Sequence, residues 1–136
     1  MANTKGQIFG INGPVVKVKG SDSFEMQEMV YVGNEELIGE VIGVTSDTTI
    51  VQVYEETTGL KKGEPVVGTG GPLSITLAPG ILSDIFDGIE RPLKEIRNMS
   101  GSFIGRGLKV TNLDERKTWK WLQSKATMLQ AVTSLP

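Results

Sequence analysis

The stretch EMVYVGNEELIGEVIGV, residues 28–44, sets two short apolar and β-branched runs on either side of Gly33-Asn34. Period-two alternation marks a half-buried strand, and a Gly-Asn step between two such runs marks a tight turn. The stretch therefore predicts a hairpin with strands over 28–32 and 36–44. The same grammar extends outward. KGQIFGI (5–11) reads as a strand that ends at the turn signal Asn12-Gly13-Pro14, and VVKV (15–18) sets Val16 and Val18 against Lys17 and Lys19. TTIVQVYE (48–55) is rich in β-branched residues; a polar loop, TGLKKGEPV, leads to two more short runs, PVVGTG (65–70) and LSITL (73–77). Short strands with glycine at nearly every junction favour a barrel, because closure hides the sheet edges and glycine suits corners and bulges. The fold class is mainly β: a small closed antiparallel barrel of six or seven strands over residues 1–78.

The pattern changes at GILSDIFDGIERPL, residues 80–93. Ile81, Leu82, Ile85, Phe86 and Ile89 recur at helical spacing, which predicts an apolar-faced helix stopped at Gly88. Pro92 suits the first turn of a second short helix, PLKEIRNM (92–99). Residues 79–99 thus form a short helical connector. A glycine-rich loop, SGSFIGRG (100–107), and a charged, aromatic run, DERKTWKW (114–121), follow it in an irregular basic tail. A wide apolar stripe beside a small barrel is expected to face another domain or subunit. With no cover, Ile81, Ile85 and Phe86 are expected to drive self-association.

Composition narrows the chemistry. The 136 residues contain no cysteine and no histidine. Disulfides are excluded, and a zinc site would have to be all carboxylate. The usual nucleophilic triads and the commonest general base are absent as well. No run approaches the length needed to span a bilayer, and MANTKGQIFG has no apolar signal-peptide core, so a cytoplasmic chain without direct membrane insertion is expected. Net charge is −2, unevenly spread: residues 1–90 hold five Lys/Arg against thirteen Asp/Glu, residues 91–136 nine against three.

No segment matches the phosphate-cradling pattern G-x-x-x-x-G-K-[ST]. GTGGPLS (68–74) has the glycines without the lysine and reads as a β-corner. Neighbouring acids at Glu35-Glu36 and Glu55-Glu56 point to opposite faces of a strand, so they read as solvated turn or strand ends. Trp119 and Trp121 among Lys117, Lys120 and Lys125 are a weak argument for nucleic acid. The acidic barrel repels phosphate and offers few aromatics for stacking.

The long run QVYEETTGLKKGEPVVGTGGPLSITLAPGILSDIFDGIERPL (52–93) resembles the N-terminal part of the catalytic A subunit (alpha chain) of V-type and archaeal-type rotary ATPases, the V-type ATP synthases. GQIFGINGPVVKV resembles that family's opening strands, and residues 29–44 the middle of its barrel. SFIGRGLKVTNLDERKTWKW resembles the start of an insert carried by this type of subunit, so residues 100–121 are expected to begin it. Ala78 stands where the family usually has glycine. Residues 122–136 depart from the family pattern and are expected to be a tail without native packing. A one-base shift of reading frame is a candidate origin that gene sequencing would test.

The resemblance implies a barrel in a crown ring of alternating A and B subunits, connected to a nucleotide-binding domain. Ile81, Leu82, Ile85, Phe86, Ile89, Arg91 and Pro92 are then the expected interdomain or subunit contacts, with Arg91 and Pro92 fixing the direction of exit. It implies partners among the B subunits and other A subunits of the hexamer, and a place in the soluble head peripheral to the membrane. Family members couple ATP hydrolysis or synthesis to proton or sodium transport and hold ATP and Mg²⁺. Their P-loop and catalytic carboxylate lie beyond anything matched here, so no cofactor and no catalytic residue is expected in residues 1–136. The alternative is a free-standing interaction module or assembly decoy without ATPase activity.

Overall fold

The computed structural model describes residues 5–20, 24–75, 77, 81–82, 84–111, 113 and 117–118. Six antiparallel strands close into a barrel: β1 Lys5–Asn12, β2 Val15–Lys19, β3 Glu28–Val32, β4 Leu37–Val44, β5 Thr49–Val53 and β6 Pro65–Pro72. The order around the barrel is β1-β2-β5-β4-β3-β6. β1 and β2 meet through Asn12 and Val15, so the predicted turn at Gly13-Pro14 forms. In the β3/β4 hairpin Val32 pairs with Leu37, and the turn spans residues 33–36 rather than two residues. Gly33 and Glu36 both take positive φ there, at 77° and 54°. β4 accordingly opens one residue later than the sequence suggests.

The interior follows the alternation. Ile8, Val16, Val18, Phe24, Val30, Val32, Leu37, Val41, Val51, Val53 and Val66 form one buried cluster. Most are valines, whose stiff, compact side chains fit a narrow barrel. Each such side chain contributes roughly 1.5–3 kcal/mol on burial. Register slips at Ile8/Gly10, Glu28/Val30 and Val41/Gly43 mark bulges that help the strands curve.

One charge sits inside. Glu28 is 3% exposed. Its Oε1 accepts from the amide of Gly70 at 2.8 Å and its Oε2 from that of Glu25 at 2.9 Å. A carboxylate so buried persists because backbone donors satisfy it. Gly68 leaves the space, since a Cβ there would overlap the Glu28 carboxylate.

Two sequence expectations change. LSITL adds no seventh strand: residues 73–75 and 77 lie outside the sheet. β6 already pairs with both β1 and β3, so the closed barrel offers no edge, and Pro72 ends the pairing. The helix expected from Ile81 to Ile89 is also missing as an α-helix among the described residues, which hold a 3-10 residue at Ile81, turns, and an isolated bridge between Phe86 and Pro92. The one described α-helix, α1, spans Leu93–Ser100 directly after Pro92, where the second helix was expected. Its inward anchor is Ile96, 1% exposed. Pro79, Gly80, Trp119, Trp121 and the tail lie outside the described residues, as does the sequence expectation for 122–136.

Candidate functional site

The segment leaving the barrel folds back on itself. The Leu93 amide donates to the Ile85 carbonyl at 2.9 Å, and the Asp87 amide to the Arg91 carbonyl at 3.1 Å. Asp87 holds this tight hairpin. Its Oδ1 accepts from the amides of Ile89 (3.1 Å) and Arg91 (2.8 Å), and its Oδ2 accepts from Arg91 Nε at 2.7 Å. Short acidic side chains compete with helical hydrogen bonding in this way, which is why the apolar period did not produce a helix. Glu90 completes the turn at a φ of 62°, outside the helical region.

Arg91 also reaches the barrel. Its Nη1 donates to Glu55 Oε2 at 2.8 Å, and the two side chains are only 11% and 5% exposed. Glu55 carries two further bonds: Oε1 accepts from the Ile38 amide at 3.2 Å, and Oε2 from the Gly107 amide at 3.0 Å. One carboxylate thus joins β4, the outgoing connector and the returning loop. Sharing donors among a buried charged pair offsets its desolvation.

The apolar contact residues proposed from the sequence do not form one stripe. Leu82 and Ile85 point outward, 75% and 63% exposed. Ile81, Phe86 and Ile89 are half-buried and Pro92 is buried. Ile89 and Arg91 help line an open cleft of about 300 Å³, with Tyr31 and Ile38 of the barrel on one side and Leu73, Ile75 and Leu108 on others. Outward apolar side chains continue at Met99 in the last turn of α1 and at Phe103 and Ile104 beyond it.

Two further carboxylates near this junction have close partners. Asp84 accepts from Lys94 at 2.5 Å, and that hydrogen bond holds the lysine above its usual pKa. The Thr58 hydroxyl and amide hold the Glu56 carboxyl below the usual carboxylate range, with Arg106 adding to the effect. Among the described residues no group of three or more acidic side chains is placed to hold a metal ion.

Sequence reasoning missed Glu55, placing it at a solvated strand end. The signal was present: Glu55 shares the parity of Val51 and Val53, which face inward, so its side chain starts on the inward side as the strand ends. The role of Gly107 carried no comparable signal.

Residues 8–70 match the family model described as the ATP synthase alpha/beta family, beta-barrel domain. The chain is 54% identical over 122 residues to the A subunit of the A-type ATP synthase of Methanopyrus kandleri, covering 89% of this chain and 21% of that protein. It is likewise 54% identical over 115 residues to the V-type ATP synthase alpha chain of Halothermothrix orenii, covering 85% and 20%. Against the V-type ATP synthase alpha chain 2 of Clostridium tetani it is 53% identical over 114 residues, covering 84% and 19%. The chain therefore spans about a fifth of the length of the curated relatives it matches. Residues 8–70 carry the beta-barrel domain of the ATP synthase alpha/beta family, and the chain as a whole is similar to the barrel-bearing part of A (alpha) subunits.

Proposed function

We propose that this barrel is an assembly piece of the catalytic A subunit in a V/A-type rotary ATPase. It contributes contacts to neighbouring B and A subunits in the hexameric head, while the connector passes to a nucleotide-binding domain. The parent complex couples ATP hydrolysis or synthesis to proton or sodium transport. ATP and Mg²⁺ belong to that other domain, and this part adds no catalytic group. It works in the cytoplasm, peripheral to the membrane; no described helix is long and apolar enough to cross one.

The observation carrying this reading is the exposure of Leu82 and Ile85, at 75% and 63%, on the segment that leads into a hairpin itself pinned to the barrel. Large apolar side chains fixed in water mark a surface meant to be covered. Ile81, Phe86 and Ile89 support that surface from within, and Arg91 and Pro92 set its direction.

The test is to mix this chain with an isolated B subunit from the same source and follow size-exclusion chromatography by light scattering. Co-elution at the combined mass is expected. Independent elution at all concentrations would reject the assembly role and leave only common ancestry.

A further inference from the structure

The loop that returns to the barrel, residues 105–109, reads GRGLK and docks on three separate pieces of it. Arg106 Nη2 pairs with Glu35 Oε1 at 3.3 Å on the β3/β4 turn. Lys109 pairs with Glu36 of the same turn, and its Nζ lies 4.5 Å from the centroid of the Tyr31 ring. The Gly107 amide donates to Glu55 Oε2 at 3.0 Å. Gly107 has a φ of 62°, and a Cβ there would overlap the carbonyl oxygen of Glu35. Both the backbone conformation and the close approach call for glycine.

We propose that the 33–36 turn, Tyr31 and Glu55 form a recognition site for a Gly-Arg-Gly-x-Lys segment, occupied here by residues 105–109 as a releasable strap. The site matches its occupant chemically. Two carboxylates meet two cations, an aromatic face meets the ammonium, and a further carboxylate meets a backbone amide at the one position where no side chain fits. The uneven charge of the chain, acidic to residue 90 and basic beyond, acquires a use in this docking.

Releasability follows from exposure. The Arg106 and Glu35 side chains are 34% and 50% exposed, and those of Lys109 and Glu36 are each 56% exposed. Exposed pairs are weak and salt-screened, so the strap opens without the barrel unfolding. Glu55 remains held by Arg91 and the Ile38 amide when Gly107 departs. The strap thereby sets where the following chain leaves the barrel. This inference does not depend on the assembly role proposed above.

The experiment is hydrogen exchange at the Gly107 amide in the full chain, followed by NMR, with tryptic cleavage after Arg106 as a second readout. In E35Q/E36Q, exchange at Gly107 and cleavage after Arg106 are expected to accelerate about tenfold relative to cleavage after Arg97, as loss of two surface pairs allows. Val51 in the barrel keeps its protection. Salt at about 0.5 M moves wild-type exchange the same way. R106Q/K109Q, which leaves the barrel side intact, is expected to match E35Q/E36Q in exchange. Unchanged Gly107 exchange in both variants would overturn the proposal. So would loss of Val51 protection in step with Gly107, since the strap would then be inseparable from the fold.

Discussion

Glu55 is worth most when judged by what its removal strands. Truncation to alanine leaves the Arg91 guanidinium, 11% exposed, with Asp87 alone, and strips the Ile38 and Gly107 amides of their acceptor. Unsatisfied donors and a half-paired buried charge are costly, so Glu55→Ala is expected to destabilise the junction by about 2–4 kcal/mol. Glu55→Gln keeps one acceptor oxygen and the shape, and is expected to fall between. The cost should appear in the connector first. Under native exchange in dilute urea, protection at Leu93 and Gly107 should drop well before that of Val51. Equal loss at all three would place Glu55 in the global fold rather than at the junction. The sequence alone did not assign this role, because adjacent acids look like solvent-facing pairs until strand parity is followed past the last hydrophobic residue.

At the level of elements, the barrel was legible and the connector was not. Strands β1 to β6 announced themselves through alternation, and hairpin ends through Asn-Gly and Gly-Asn steps, because one face of each strand must be apolar to fill the barrel. Ile81 to Ile89 followed the helical period equally well. Spacing, however, reports only what a helix would do with its side chains. It is silent on a competitor such as Asp87, whose carboxylate takes two amides and the Arg91 Nε out of helical use. Where that competitor was missing, after Pro92, the helix formed. α1 is nonetheless short, eight residues, and too short to persist in isolation. Ile96 anchors it, so Ile96→Ala is expected to cost about 2–4 kcal/mol locally and to melt the helix while the barrel stands. Circular dichroism should lose the helical contribution near 222 nm in this variant, with β-sheet amide protection retained. A helix that persists would mean that the packing around residues 101–104 holds it instead.

On the scale of the whole molecule, a well-filled barrel carries an under-covered edge. The barrel interior is valine-rich and buried, whereas Leu82, Ile85 and Phe103 stand 75%, 63% and 84% exposed on the segments beyond it. The sequence pointed to self-association through Ile81, Ile85 and Phe86. The fold changes the membership, turning Ile81 and Phe86 partly inward and leaving Leu82 and Ile85 outside. Weak self-association through this edge is therefore expected when no partner is present. Light scattering should give an apparent mass that rises above 14.7 kDa with concentration. The L82S/I85S/F103S variant should hold the monomer mass, because each substitution removes exposed apolar surface and touches none of the buried cluster. Salt separates this cause from the charge asymmetry. Apolar association strengthens or holds as ionic strength rises, while pairing of an acidic barrel with a neighbour's basic segment weakens. A mass that falls with added salt and ignores the serine substitutions would assign the contact to charge, and would leave the exposed edge with no role in self-association.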